Sequence, residues 1–429
     1  MATVLDTLKE RLLFDAMTAP ELAAELDKPM TVYAGFDPSS DSLQAGNFVT
    51  IMALSHFQRA GHRVIALVGG ATGLIGDPSG KSSERNLLTD EQVRRNLDGI
   101  QENLSRFIDF GTGPNPAIMV NNYDWHKDFT FISLLRDVGR YFRVNQMLAK
   151  ESVKTRLESQ EGISFTEFCY QILQGYDFLH LYRTTGCRLQ IGGSDQWGNI
   201  TAGTELIRRV EGSASFGLTF PLVCDSQGRK FGKSEGNAIY LDHRRTSYYE
   251  FYQFFLRTLD ADVIRFLRIF TFLPEAELQR LEGEAEAAPE KHEAQRVLAD
   301  QLTRAVHGAH GLAVAQRASE VLFGGSFDGL NASDLLAVFA NVPSSELPFD
   351  GVVGRPVLEV IVAAGLCASK GEARRLMQQG GLTVNSHRIG DSAAVFDASM
   401  LIDGRLAVLR SGKKNNRLLK VCHTPDRDR

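Results

Sequence analysis

The sequence predicts an α/β chain in three parts: a parallel-sheet domain, an all-helical stretch, and a small basic α+β module at the end. Three observations carry that prediction. First, Met30–Phe36 reads as a short strand ending in Asp37-Pro38, Leu43–Ala60 as a helix apolar at Phe48, Ile51, Met52, Leu54 and Phe57, and Val64–Val68 as the continuous apolar run of a strand buried on both faces. Strand, loop, helix and strand in such close succession make a βαβ unit, the building block of a parallel sheet. Second, residues 247–323 read as helix upon helix. Third, residues 351–429 hold thirteen Lys/Arg against seven Asp/Glu, a net +6 in a chain whose total is −5, which leaves −11 for the remainder. Basic charge gathered in one segment is an electrostatic footprint for phosphate.

Taken in order, residues 3–28 read as amphipathic helices through Leu5, Leu8, Leu12, Leu13, Leu22 and Leu26. Ligands on parallel sheets sit at the carboxyl ends of strands, which is where Gly35, Asp37 and the glycine-rich stretch Gly69 to Gly80 fall. The run Gly76-Asp77-Pro78-Ser79-Gly80-Lys81-Ser82 imitates a phosphate-binding P-loop. It has three residues between its glycines where that loop needs four, and Asp77-Pro78 would interrupt the amides that cradle phosphate. Lys81 and Arg85 remain useful as cations beside a nucleotide. Asp90–Phe107 reads as a helix, Ala117–Asn122 as a strand, and Phe129–Leu148 as helical, with an apolar stripe of Phe131, Leu134, Leu135, Val138, Tyr141 and Phe142. That stripe fits either core packing or a contact with another chain.

On the next helix, Phe165–Leu181, Tyr170, Gln174 and Asp177 fall at i, i+4 and i+7, a polar stripe among Phe168, Ile172, Leu173 and Phe178. Such a stripe fits a solvated face or, with this much apolar flanking, the wall of a pocket, and the flanking favours the pocket. Leu189–Ile191 is a strand with Asp195-Gln196 at its end, Trp197 opens a helix running to about Val210, and Phe216–Leu222 is the last strand of the domain. Five helices follow, Tyr248–Leu256, Asp260–Leu267, Glu275–Ala285, Glu290–His307 and Leu312–Leu322, and residues 324–350, richer in Gly, Ser, Asn and Pro, read as a linker.

Composition narrows the class. With 429 residues, 43% of them apolar, the chain holds two or three domains and buries a full core. It has no apolar run long enough to span a membrane and no secretory leader, and its five cysteines (Cys169, Cys187, Cys224, Cys367, Cys422) are scattered rather than paired. Those features predict a cytoplasmic protein with no membrane partner, no disulfide framework and no protein-bound metal.

The stretch that gives the chain a chemistry is Lys230-Phe231-Gly232-Lys233-Ser234, with Gly228 and Gly236 beside it. Two ammonium groups on a movable loop suit closing over a polyphosphate and neutralising charge as it departs. Together with Tyr33-Ala34-Gly35-Phe36-Asp37-Pro38 and Gln190-Ile191-Gly192-Gly193-Ser194-Asp195-Gln196-Trp197, it resembles the bacterial tyrosyl-tRNA synthetases, class I aminoacyl-tRNA synthetases, whose KMSKS loop is spelled KFGKS here. The resemblance runs from about residue 3 to about residue 420.

It implies a Rossmann-like parallel-sheet catalytic domain over 1–240 with an inserted dimerisation region, a helical anticodon-stem-binding domain over 241–323, the linker 324–350, a small basic RNA-binding domain over 351–420 and a tail over 421–429. It further implies ATP and L-tyrosine as substrates, Mg2+ accompanying the ATP, tRNA-Tyr as partner and a homodimer. By matching position, Tyr33 and Asp177 meet the phenolic hydroxyl, and Asp77, Tyr170 and Gln174 surround the substrate ammonium. Asp37 and Gln196 lie beside the amino acid, and Asp195 takes the ribose. Gly35, Gly46, Gly192 and Lys233 belong to the ATP site, and Lys230 and Lys233, with Lys81 and Arg85, stabilise the leaving pyrophosphate. In the last module Ser369 caps a helix bearing Lys370, Arg374 and Arg375, similar to a small RNA-binding module of a ribosomal protein and some pseudouridine synthases. Lys413, Lys414 and Arg417 add a basic strip.

One motif departs from the family. Where the HIGH motif belongs, the sequence reads Gln44-Ala45-Gly46-Asn47. Gly46 still allows close approach of ATP to the backbone, and Asn47 and Gln44 offer amide donors in place of imidazoles, but neither becomes cationic. An active ligase whose pH profile lacks a histidine contribution fits this, and so does a drifted paralogue that keeps tyrosine or RNA binding. A relative charging tryptophan fits less well, because an indole offers Tyr33 and Asp177 a donor but no phenol. A non-catalytic RNA-binding protein accounts for the last module and not for KFGKS.

Overall fold

The computed structural model describes residues 3–79, 89–111, 113–159, 162–234, 237–322, 332–339, 342–412 and 415–422. The chain divides into two compact units, Met1–Arg245 with Phe255–Val306, and Thr246–Phe254 with His307–Arg429.

The first unit is built on a six-stranded sheet of β1 (Ala16–Met17), β2 (Thr31–Phe36), β3 (Arg63–Val68), β4 (Ile118–Asn121), β5 (Leu189–Gly193) and β6 (Phe216–Phe220), in the order β1-β6-β5-β2-β3-β4. β1 is antiparallel to β6 and every other pair is parallel. The apolar run of β3 is what a sandwiched strand requires: after exposed Arg63 every residue to Val68 is buried. The crossover helix Phe48–Arg59 is buried over nine of its twelve positions, Phe48, Ile51, Met52 and Phe57 almost completely, because it packs on the sheet. From β2 the chain proceeds outward to β3 and β4, then returns to place β5 on the opposite side of β2. That reversal between β2 and β5 is the switch point at which open parallel sheets bind ligands.

Three expected elements differ. Phe129–Leu148 is not one helix but Phe131–Asp137, a 3-10 turn at Gly139–Tyr141 and Val144–Leu148, because the backbone extends at Phe142 (φ −93°, ψ 137°). The apolar stripe read there splits accordingly. Phe131 and Leu135 are exposed and Val138 is buried, while Leu134, Tyr141 and Phe142 pack against the unit's own core. A further helix, Glu151–Leu157, precedes Phe165–Thr185. Between them lies a buried ion pair: both Arg156 and Glu167 are 2% exposed, with Arg156 Nη1 2.9 Å from Glu167 Oε1, Nη2 2.8 Å from Oε2, and Arg156 Nε donating to the Gly162 carbonyl. The N-terminal region is two helices, Val4–Glu10 and Leu22–Glu25, separated by β1.

A short hairpin, β7 (Lys233–Ser234) with β8 (Asn237–Ala238), follows the main sheet. The helices read over 241–323 are divided between the two units. The helices Asp260–Phe270 and Glu275–Ala287 belong to the first unit, and the helix Glu293–Leu322 is broken at Gly308, whose φ of 71° and ψ of −175° no helix contains; the division between units falls beside it.

Nor is 324–350 simply a linker. A helix at Ala332–Val338 and β9 (Ser344–Pro348) both belong to the second unit. β9 pairs in parallel with β13 (Asn415–Cys422) at the edge of a five-stranded sheet whose other strands are β10 (Leu382–Val384), β11 (His387–Arg388) and β12 (Leu406–Ser411), in the order β11-β10-β12-β13-β9. Ser344-Ser345-Glu346 carries no strand pattern because an edge strand contributes backbone hydrogen bonds rather than a buried face. Period-2 alternation lets this sheet serve two cores. Ala407, Leu409, Leu419 and Val421 face the helices Val357–Ala363 and Lys370–Gln378, whereas Leu406, Val408 and Leu418 face Ala318, Ala332, Leu335 and Phe339. Among the described residues no helix is long and apolar enough to cross a membrane.

The buried pair generates a stability prediction. Arg156→Ala leaves the Glu167 carboxylate buried without its partner and destabilises the first unit by about 3–5 kcal/mol in urea unfolding, whereas the double change Arg156→Met with Glu167→Leu costs much less.

Candidate active site

At the switch point, β2 and β5 pair with Tyr33 opposite Gln190, so both side chains rise on the same face of the sheet. Beyond them opens a cavity of about 280 Å3, closed on one side by the helix Phe165–Thr185 and rimmed by Gly46 and Asn47. Two of its buried polar atoms, the Tyr33 hydroxyl and Gln190 Oε1, have no hydrogen-bond partner among the described residues. Polar atoms left unsatisfied at a cavity wall are what a bound ligand would pair.

Asp177 stands at the same end of the cavity, 1% exposed. Its Oδ2 accepts from Asn122 Nδ2 at 3.0 Å; its Oδ1 accepts from Trp125 Nε1 at 2.8 Å and lies 2.7 Å from His126 Nε2. A carboxylate that is acceptor-only on both oxygens fits this set of N–H groups. Burial, and then the negative charge of Asp177, hold the Tyr33 phenol well above its ordinary pKa, so Tyr33 stays protonated and able to donate.

Two further carboxylates are held open toward the cavity. Tyr170 donates to Asp37 Oδ2 and Thr72 to Asp37 Oδ1, each at 3.0 Å. Burial first, and then Asp37 and Asp77, raise the Tyr170 phenol well above its usual pKa. Asp77 Oδ2 accepts from Gln196 Nε2 at 2.8 Å, and its Oδ1 accepts from the Ser79 amide at 2.9 Å and Asn199 Nδ2 at 3.3 Å. Asp195 closes the row at the end of β5. Burial and the charge of Asp77 raise its carboxyl, and the Lys230 ammonium opposes them, which places a cation of the lysine loop within electrostatic reach of the cavity.

The lysine loop is anchored rather than loose. Phe231 stacks on Phe270 with ring centroids 4.5 Å apart and meets Phe266 edge-on at 4.9 Å. Gly232 adopts φ +89°, and a Cβ there would lie 2.6 Å from the Gly46 amide, so only glycine lets the loop backbone lie against the Gln44–Asn47 segment. Ile239 N donates to the Gly232 carbonyl, Ala45 N donates to the Ile239 carbonyl, and Gln44 bridges to Tyr240. Asn47 Oδ1 accepts the Gln44 amide at 3.0 Å, which leaves Asn47 Nδ2 as the donor for the cavity.

The structure thus gathers Tyr33, Gly35, Asp37, Gly46, Asn47, Asp77, Tyr170, Gln174, Asp177, Gly192, Asp195 and Gln196 around one cavity. Gln44 is not among its lining residues; its backbone pairs with Tyr240 instead. Lys230 is exposed beyond the rim, and Lys233 is described by its backbone alone, paired with Ala238. Lys81, Arg85, Lys413 and Lys414 lie outside the described residues. In the second unit Arg374 and Arg375 are exposed on one helix, and Lys370 pairs with Glu359 at 2.7 Å. Arg417 differs from expectation: its Nη1 donates to Ser345 Oγ and to the Ala364 carbonyl, both at 2.9 Å, so it fastens a helix end to the sheet.

Sequence reading missed the groups that hold the carboxylates: Thr72, Asn122, Trp125, His126 and Asn199. The one signal available was the polar cluster Asn121-Asn122-Tyr123-Asp124-Trp125-His126 directly after a strand, at the carboxyl end where such sheets bind ligands.

Comparison with known proteins agrees with this geometry. Residues 25–324 match the family described as tRNA synthetases class I (W and Y), and residues 334–419 match the tyrosine–tRNA ligase SYY-like C-terminal domain. A tyrosine–tRNA ligase of Protochlamydia amoebophila is 49% identical over 98% of this chain and 99% of its own length. That of Geobacillus stearothermophilus is 52% identical over 92% and 94%. Among solved structures, a C-terminally truncated mitochondrial tyrosyl-tRNA synthetase of Aspergillus nidulans superposes with a TM-score of 0.68 at 29% identity, covering 75% of this chain and 95% of that one. With a cavity at the switch point, a lysine loop against its rim and likeness over nearly its whole length, the chain belongs to the tyrosine–tRNA ligase family of class I aminoacyl-tRNA synthetases.

Proposed function

We propose that the cavity activates L-tyrosine with ATP, forming tyrosyl-adenylate and pyrophosphate, and that the tyrosyl group then passes to the terminal ribose of tRNA-Tyr. The observation that carries this reading is the buried Asp177 carboxylate beside the unpartnered Tyr33 hydroxyl. A phenolic hydroxyl donates to the one and accepts from the other. Phenylalanine would leave the Tyr33 hydroxyl unpaired and Asp177 Oδ2 one donor short, an effect for which this enzyme family is itself a standard example. At the other end of the cavity, Asp77, Tyr170 and Gln174 suit the substrate ammonium.

The first step needs no covalent enzyme intermediate. A carboxylate oxygen of tyrosine bonds to the α-phosphorus while the bond to the bridging oxygen of pyrophosphate breaks, and the protein contributes positioning and charge. Gly46 lets the backbone approach the nucleotide, Asn47 Nδ2 offers a neutral donor, and Asp195 at the end of β5 suits the ribose. Lys230, with Lys233, Lys81 and Arg85, would neutralise the departing pyrophosphate. Magnesium in this reading arrives on the ATP phosphates, with most of its shell supplied by phosphate and water. The cavity and lysine loop are retained around Gln44-Ala45-Gly46-Asn47, which favours an active ligase over a drifted paralogue.

A homodimer accounts for a further feature. Phe131, Ile132, Val144 and Phe165 are each more than 60% exposed, within a segment that also exposes Leu135, Leu148 and Leu157. Apolar side chains exposed in such number along one segment mark a contact surface.

Three outcomes test the reading. Purified protein should exchange labelled pyrophosphate into ATP only when tyrosine is present, and Gln44→His should change the rate less than about tenfold, since Gln44 does not line the cavity. Silence from the wild type with recovery in Gln44→His would place the defect at that motif, and silence from both would end the ligase reading. Asp177→Asn should raise KM for tyrosine by roughly thirtyfold, about 2 kcal/mol, with KM for ATP nearly unchanged. Arg374→Glu with Arg375→Glu should leave exchange intact while raising KM for tRNA-Tyr about tenfold and flattening its salt dependence.

A further inference from the structure

We infer that His126 is a positioning residue for tyrosine selection, acting through Asp177; the inference rests on the reading of this cavity as the tyrosine site. The imidazole is almost completely buried, its side chain 6% exposed, and its Nε2 lies 2.7 Å from Asp177 Oδ1. Nε2 must carry the hydrogen, because an unprotonated nitrogen there would set its lone pair against the carboxylate oxygen. The same oxygen accepts from Trp125 Nε1, and Asn122 takes the other. With Oδ1 saturated by two donors, the carboxylate cannot turn, and Oδ2, which has one donor from the protein, is the oxygen left for a ligand hydroxyl.

The ring is fixed on its other sides by aromatic contacts. Tyr176 and Phe129 lie 5.7 and 6.2 Å from it by ring centroids, and Trp125, which shares Oδ1, stacks on His180 at 4.3 Å with the planes 14° apart. Rotation of the imidazole away from Asp177 is therefore obstructed. His126 Nδ1 is buried and has no partner among the described residues. His126 thereby holds Asp177 in the orientation that tyrosine selection needs.

The other titratable groups facing His126 are Asp177, Tyr176 and His180, all on the helix Phe165–Thr185. Arg183 stands one turn beyond them and acts on His180. On its own segment Asp124, Lys127 and Asp128 are exposed. Burial lowers the His180 pKa, the Asp177 charge opposes that, and Arg183 adds to the lowering.

The test is steady-state pyrophosphate exchange with the full chain, wild type beside His126→Phe and His126→Gln, with tyrosine and phenylalanine as alternative substrates. Phenylalanine preserves the packing, and glutamine restores an N–H at the reach of Nε2. His126→Phe should raise KM for tyrosine about three- to tenfold with kcat within about twofold, and lower the preference for tyrosine over phenylalanine by a similar factor. His126→Gln should recover most of both. An unchanged KM and preference in His126→Phe would overturn the inference, as would a glutamine variant no better than the phenylalanine one, which would reduce His126 to packing. Tyrosine-independent behaviour of the wild type would instead overturn the tyrosine-site reading beneath it, and leaves the two failures distinct.

Discussion

The structure is organised around a carboxylate that water does not reach. Asp177 can be buried to this degree only because Asn122, Trp125 and His126 direct N–H groups at its oxygens. Each of those groups is fixed in turn. Asn122 lies at the end of β4, where its Oδ1 accepts the Ala71 amide and its Nδ2 also reaches Thr72; Thr72 then donates to Asp37, which Tyr170 meets from the same helix as Asp177. One hydrogen-bonded chain thus links the phenol end of the cavity to its middle. Leaving any member unpaired carries the desolvation cost of a buried polar group, so the network specifies one arrangement of the cavity wall.

A second constraint is where the sheet changes direction. Placing β5 beside β2 and on the far side from β3 brings Gln190 and the Gly192–Gln196 turn next to Tyr33, although some 150 residues separate them in sequence. The same topology leaves space above the strand ends for the lysine loop. Gly232 lies against Gly46 there because Gly232 carries no side chain, and Phe231 fixes the loop's height through its aromatic neighbours Phe266 and Phe270.

The second unit shows the same economy of backbone. Its five-stranded sheet buries a different side chain on each face at alternate positions, so two small cores share one layer. Arg417 falls within a basic strip, yet its guanidinium is committed to Ser345 and the Ala364 carbonyl. Charge in a sequence gives the sum of a segment's field. Which of those charges face solvent is decided by packing.

By itself the sequence determined what local periodicity and motif chemistry encode. The apolar run of β3, the i, i+4, i+7 stripe of Tyr170, Gln174 and Asp177, and the glycines that permit close backbone approach were all legible, because each depends on spacing within one element. Tertiary structure alone decided three things. It made Ala332–Val338 a helix and Ser344–Pro348 a strand where a linker was read, because β9 is recognised by its backbone partner and not by its side chains. It gave the helices of 241–323 to two units, since the break at Gly308 shows in backbone angle more than in composition. It also brought Asn122, Trp125 and His126 onto Asp177, across more than fifty residues of sequence. A buried charge takes its donors from whatever the fold places within reach, and no period in the sequence records that distance.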